Sequence, residues 1–192
     1  ADRVAAMLPP RIELYAAIFG TVKAGRIYVP LTPLFGPEAL SYRLADSGTS
    51  VLFLAREYAD ALPDEAFPDL ERVVVVDGPG SDTSRAGIDG EFSVDAYDRV
   101  RSRGAEFEAV DTHPDDIYTL KYTSGTTGQP KGVPTRHRRL VHGSGYNDYV
   151  VDLRPEDNYF VAASPAWSYG LGATMSVGVR DTGIAPYRGS VG

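Results

Sequence analysis

The chain has 192 residues, 43% hydrophobic and 23% charged, with 20 Gly and 14 Pro. That is the composition of a soluble globular domain with its own core, and it excludes a disordered or collagen-like chain. A net charge of −7 argues against a general nucleic-acid binder. The absence of cysteine excludes disulfides, thiolate metal sites and a cysteine nucleophile, and it fits a cytoplasmic setting.

The apolar runs at 51–55 and 73–76 are far too short to cross a bilayer. The first residues, Ala-Asp-Arg-Val-Ala-Ala-Met-Leu, carry neither a basic leader nor a long apolar core, so no signal peptide is expected. A start without methionine points to processing or trimming.

In chain order, Pro10 opens a helical pattern in which Ile12, Tyr15, Ile18, Phe19 and Val22 recur at three- and four-residue spacing, with Gly25 to end it. Residues 26–31 read as a short strand and 32–37 as a turn. A second helix is predicted over 37–47, with Leu40 and Leu44 on one face and Gly48 as its stop. Residues 51–55 and the valine-rich 72–76 read as buried strands.

The stretch 78–90 is a surface loop by composition. An exposed helix is expected over 94–103, a strand over 117–122, a polar turn over 123–132 and a helix from about His137. A strand at 159–163, a helix over 165–177 and a last short strand at 184–187 complete the reading. Strands alternating with helices predict an α/β fold, a mainly parallel sheet flanked by helices, in one unit without repeats or linkers.

Charge is unevenly distributed. From 117 to 147 there is no Asp or Glu, and Lys121, Lys131, Arg136, Arg138 and Arg139 give that window +5, leaving −12 elsewhere. A basic island in an acidic chain is a candidate anion site, and a solvated basic helix face is the plain alternative. Lys121 is polar where a buried strand would carry an apolar residue, and is expected to face solvent.

The island surrounds Tyr122-Thr123-Ser124-Gly125-Thr126-Thr127-Gly128-Gln129-Pro130-Lys131-Gly132. Gly125 and Gly128 permit positive φ, which turns backbone N–H groups toward an anion. Thr123, Ser124, Thr126 and Thr127 add hydroxyl donors, and Lys131 adds a point charge suited to phosphate. A strand leading into a polyphosphate-wrapping loop, followed by a basic helical stretch, is the expectation.

This is not a Walker A loop, because Pro130 stands five residues after Gly125 and Gly132 follows the lysine. There is no G-x-G-x-x-G dinucleotide motif, and Gly143-Ser144-Gly145 is not a hydrolase elbow. His137 and His142, five apart, face different sides of a helix, and with His113 they lack the spacing of a zinc site. Asp111, Asp115 and Asp116 read as loop or cap residues.

Residues 122–132 resemble the signature loop of the adenylate-forming superfamily, which includes acyl- and aryl-CoA synthetases, luciferase and the adenylation domains of peptide synthetases. The same resemblance extends to Asp2-Arg3-Val4-Ala5, Lys23-Ala24-Gly25, Tyr28-Val29-Pro30-Leu31 and His137. It also covers Ser164-Pro165-Ala166-Trp167-Ser168-Tyr169-Gly170-Leu171-Gly172, whose Trp and Gly are closer to acetyl- and medium-chain acyl-CoA synthetases.

The resemblance implies two-step chemistry with ATP, Mg²⁺ and CoA. A carboxylate attacks the α-phosphorus of Mg-ATP, and CoA thiol then displaces AMP. It assigns the ATP phosphates to Thr123, Ser124, Gly125, Thr126, Thr127, Gly128 and Lys131. Trp167, Tyr169 and Gly170 would form the pocket for the small carboxylate.

Family members are more than twice this long. The adenine loop, the Thr-Glu pair serving Mg²⁺, the ribose-binding Asp and the C-terminal lid domain with its lysine have no counterpart here; Tyr187-Arg188-Gly189 does not replace them. Residues 1–192 are thus expected to be a partial N-terminal adenylation domain, inactive alone, with no complete catalytic set and no metal site of its own. Exposed surface is expected to favour self-association. The rival readings are a non-catalytic binding module and an adenylating enzyme with another acceptor, such as a carrier protein.

Overall fold

The computed structural model describes residues 2–77, 88, 90–104, 106–123, 128–140, 146–154 and 156–178. Seven strands form one sheet: β1 (Arg3–Met7), β2 (Ile27–Leu31), β3 (Thr49–Ala55), β4 (Arg72–Val76), β5 (Ser93–Ala96), β6 (Ile117–Thr123) and β7 (Lys131–Arg136). Their order is β5-β4-β3-β1-β2-β6-β7. Every pairing is parallel except β6 with β7.

Parallel neighbours need crossover connections; α1 (Ile12–Lys23) lies between β1 and β2 in the chain, and α2 (Pro37–Ser47) between β2 and β3. Helix α1 buries Leu14, Ala17 and Ile18. With Leu171 and Met175 of α4 (Ser168–Gly178), these residues cover one face of the sheet over Ala6, Tyr28 and Tyr118. Helix α2 lays Leu40 and Leu44 on the opposite face, over Ala5, Val29, Leu52 and Val73. Both faces being covered explains why β4 reads Arg-Val-Val-Val-Val rather than alternating.

Helix α2 has Pro at its first position, where no intrahelical N–H is needed. It ends at Gly48 with φ of 58°, the left-handed turn that favours glycine. Arg3 Nε donates to the carbonyls of Ser47 (2.7 Å) and Gly48 (2.9 Å), satisfying the helix end.

Several expectations need correction. The helix expected over 94–103 divides into β5 and the short α3 (Tyr97–Ser102), because Val94 and Asp95 pair with Val73 and Val74 of β4. Asp95 is buried there against Arg72 (3.6 Å) and Arg103 (3.4 Å). Residues 159–163 are not a strand: no neighbour among the described residues offers a ladder, and Phe160 lies exposed. Residues 131–136 form a strand that takes in the end of the turn expected over 123–132, and the helix expected from about His137 is seen at residues 138–140. The helix near 165 starts at Ser168, after a turn in which Trp167 N–H donates to Ser164 O (3.0 Å). The strand expected at 184–187 lies outside the described residues. So does the core of the loop expected over 78–90, of which only Ile88 and Gly90 are described.

Candidate phosphate hairpin and adjoining cleft

The lysine-bearing segment turns back on the strand before it. β6 and β7 pair antiparallel, with Thr123 opposite Lys131, Tyr122 opposite Gly132 and Lys121 opposite Val133. Thr123 and Lys131 are therefore the last paired residues where the two strands meet. Ser124, Gly125, Thr126 and Thr127 lie outside the described residues. Gly128 has φ of 135°, a conformation that disfavours any residue with a Cβ, as the loop reading required. Thr123 and Lys131 are both exposed.

The basic island is smaller in space than in sequence. Arg136 (3.4 Å) and Arg138 both pair with Asp115, just outside the island. Lys121, Lys131 and Arg139 have no ion pair among the described residues. Lys121 does not face open solvent: it is half-buried, and burial, with Arg139 nearby, pushes its ammonium below the ordinary lysine range.

Helix α2 meets the hairpin at both ends. The Tyr122 phenol donates to Asp46 Oδ2 at 2.6 Å, and the Tyr42 phenol donates to the Pro130 carbonyl at 2.9 Å. The two rings meet edge to face, with centroids 6.4 Å apart. Burial, followed by the Asp46 carboxylate, holds the Tyr122 phenol well above its ordinary value, so it stays a donor. Between them lies Arg43, buried, its guanidinium 4.0 Å from the centroid of Phe35 and 5.6 Å from that of Tyr122. Arg43 Nη1 donates to Ala39 O (2.7 Å), while Nε is buried without a partner. Nothing in the residue types of 37–47 marked Tyr42, Arg43 and Asp46 as belonging to a site formed about 80 residues later; no local signal could have found them.

A small cleft of about 20 Å³ opens beside the hairpin, lined by Pro30, Phe35, Lys121, Tyr122, Ala166, Trp167 and Ser168. Pro30 and Tyr122 stand near the carboxyl ends of the adjacent parallel strands β2 and β6, the edge where open α/β sheets take their ligands. Of the three residues expected in the acid pocket, Trp167 lines this cleft, with its ring 53% exposed. Tyr169 does not line it. It is 60% exposed; its phenol, hydrogen-bonded to that of Tyr146, raises the latter's pKa, while that of Tyr159 is raised first by burial and then by Tyr169.

Gly170 is buried against backbone: a Cβ there would lie 2.2 Å from the Ser164 carbonyl oxygen. It lets α4 begin close against the turn that presents Trp167. His137 packs against the Tyr118 ring (5.6 Å between centroids), and burial lowers its pKa. Among the described residues, no group of three or more His, Asp or Glu could hold a metal ion.

The chain thus presents a mainly parallel α/β sheet covered on both faces, with the antiparallel β6–β7 pair at one side. The AMP-binding enzyme family matches residues 1–181, and the chain belongs to that family. It is 32% identical over 169 residues to the acetyl-coenzyme A synthetase of Bacillus subtilis, covering 88% of this chain and 28% of that protein. It is 30% identical over 156 residues to surfactin synthase subunit 1 of the same organism, covering 81% of this chain and 4% of that one. Among solved structures, the anthranilate CoA ligase AuaEII in complex with anthranoyl-AMP superposes with a TM-score of 0.74 at 28% identity. That match covers 93% of this chain and 34% of the ligase. The chain thus spans less than a third of the acetyl-coenzyme A synthetase it matches. Among the described residues, no helix is long and apolar enough to cross a membrane.

Proposed function

We propose that residues 1–192 form part of the N-terminal adenylation domain of an AMP-forming acid–thiol ligase. In this reading a carboxylate oxygen attacks the α-phosphorus of Mg-ATP and pyrophosphate leaves. The CoA thiol then attacks the acyl carbon of the acyl-adenylate, releasing AMP and giving the thioester. Mg²⁺ arrives with ATP as part of the substrate. The observation that carries the reading is the antiparallel pairing of β6 and β7, which sets Lys131 across from Thr123 at the end of β6.

The protein's contribution here is positioning and charge neutralisation. Thr123, Ser124, Gly125, Thr126, Thr127 and Gly128 offer hydroxyl and N–H donors to the β- and γ-phosphates, and Lys131 neutralises the charge that moves onto pyrophosphate. Trp167 and Gly170 shape the acid pocket, the first by lining the cleft and the second by letting α4 approach it. Tyr169, which does not line the cleft, is assigned to the acid pocket by the resemblance and by its place two residues after Trp167. The reading also carries a cytoplasmic setting, supported by the lack of cysteine, and self-association through exposed side chains such as Tyr149 and Phe160. Light scattering over a concentration series tests the latter, and a constant monomer mass refutes it.

A carrier-protein thiol in place of CoA is the second reading, favoured by the similarity to a surfactin synthase subunit. Two measurements test the function. The 192-residue chain with ATP and a panel of carboxylic acids is expected to release no pyrophosphate, because adenine, ribose and lid elements are lacking; clear turnover overturns that. Calorimetry with pyrophosphate is expected to show binding that disappears in Lys131→Ala, and equal binding by the variant removes Lys131 from the phosphate role. Incubating the complete coding sequence with CoA or with a phosphopantetheinylated carrier protein identifies the acceptor.

A further inference from the structure

We propose that helix α2 is the device that sets the β6–β7 hairpin for anion binding, with Tyr42, Arg43 and Asp46 as its positioning residues. This inference rests on the phosphate reading of the hairpin and adds residues that neither the signature sequence nor the family match singles out.

Asp46 accepts the hydrogen bond of Tyr122, the residue just before Thr123, and Tyr42 donates to the carbonyl of Pro130, the residue just before Lys131. The two contacts thus grip the chain immediately before each of the residues that close the hairpin base. They come from one helix whose opposite side is anchored in the core by Leu40 and Leu44. The hairpin inherits the rigidity of that core without being buried, so Thr123 and Lys131 stay accessible to a ligand.

Arg43 completes the grip. A buried guanidinium normally sits against a carboxylate; this one is held between the Phe35 and Tyr122 rings, with a single backbone acceptor and a buried Nε that has none. Phe35 and Tyr122 both line the cleft. One cation therefore ties the Tyr122 ring, just before Thr123, to the Phe35 ring beside the cleft. None of the three touches the anion; they act through Tyr122 and Pro130.

The test uses the 192-residue chain and three variants. Tyr42→Phe keeps the ring and loses the donor, Asp46→Ala loses the acceptor, and Asp46→Asn keeps an acceptor. Each is read by amide hydrogen exchange at Thr123 and Lys131, with Ala5 and Leu52 as core references, and by pyrophosphate calorimetry. Losing one hydrogen bond is expected to speed exchange at the hairpin base by about 3- to 10-fold and weaken pyrophosphate binding similarly. Core amides are expected to stay unchanged, and Asp46→Asn is expected to restore most of both.

Unchanged exchange in Tyr42→Phe and Asp46→Ala overturns the proposal. Faster exchange with unchanged pyrophosphate affinity also overturns it, leaving α2 a purely structural support. Absence of pyrophosphate binding by the unsubstituted chain overturns the phosphate reading itself, and that failure is visible before any variant is made.

Discussion

The sheet is two regions of different character. From β1 to β5, strands pair along most of their length: β1 and β2 are in register from Arg3 with Ile27 to Met7 with Leu31, and Leu52, Leu54 and Val73 are fully buried. β6 and β7 join this block through a single paired position, Tyr28 with Thr119. There the buried Thr119 hydroxyl donates to the Tyr28 carbonyl at 2.8 Å. Beyond that seam the side chains proposed to carry chemistry, Thr123, Lys131 and Trp167, are exposed. The first region gains stability from burial; the second is mounted on it and left open. A site of the proposed kind, one that admits a polyphosphate, cannot also be a core, and here its order would come from contacts with the rigid block.

That contrast can be broken most directly in the core. Leu52→Ala is expected to cost about 2–5 kcal/mol in chemical denaturation, whereas Trp167→Ala should cost under about 1 kcal/mol. Equal losses would mean that the two regions share one core. Thr119→Val removes the seam's buried hydroxyl and leaves the Tyr28 carbonyl short of a partner, for about 1–3 kcal/mol. Exchange should then rise at β6 and β7 while β1 and β3 stay protected.

Gly170→Ala places a methyl against the Ser164 carbonyl and is expected to cost a further 1–3 kcal/mol, roughly. A shifted Trp167 fluorescence should accompany it; an unchanged emission spectrum would show that Gly170 does not set the position of that ring. Lys131→Ala is expected to leave stability within about 0.5 kcal/mol while abolishing pyrophosphate binding, a separation that only an exposed ligand group gives.

The smallest effect is a pH slope. Burial holds His137 below the ordinary histidine value of 6.5. The unfolded chain therefore takes up a proton that the folded chain refuses, so this contribution is fully present above 6.5 and is lost as pH falls through the window beneath it. His137→Gln should flatten the fall in melting temperature between neutral and mildly acidic pH; an unaltered slope would assign the effect to other groups.

The legibility of the fold follows the same division. Helix α2 could be read at both ends, because Pro37 and Gly48 are local signals that work without the rest of the molecule, and the valines of β4 announce a strand covered on both faces. β1, the middle strand of the sheet, carries Ala5 and Ala6 where stronger strand formers would signal it. β7 reads Lys-Gly-Val-Pro-Thr-Arg, with a glycine and a proline that speak against a strand; it is one because it occupies an edge and pairs with β6. Tyr159–Phe160 has strand composition but does not lie in a strand of the sheet.

The resemblance carried by 122–132 named the family, and its glycines, hydroxyls and lysine suggested the proposed anion chemistry, since backbone permissiveness and donor groups are written in residue types. Composition and hydrophobic spacing likewise determined a mainly parallel α/β fold. What packing alone decided is which distant groups serve that segment. Tyr42 reaches Pro130 across 88 residues and Asp46 reaches Tyr122 across 76. Asp115 takes Arg136 and Arg138 out of the basic island, and Lys121 is drawn half out of water into the cleft. Local signals act over a few residues, whereas these contacts exist only because two strands and a helix, far apart in the chain, are brought together by burying their apolar faces.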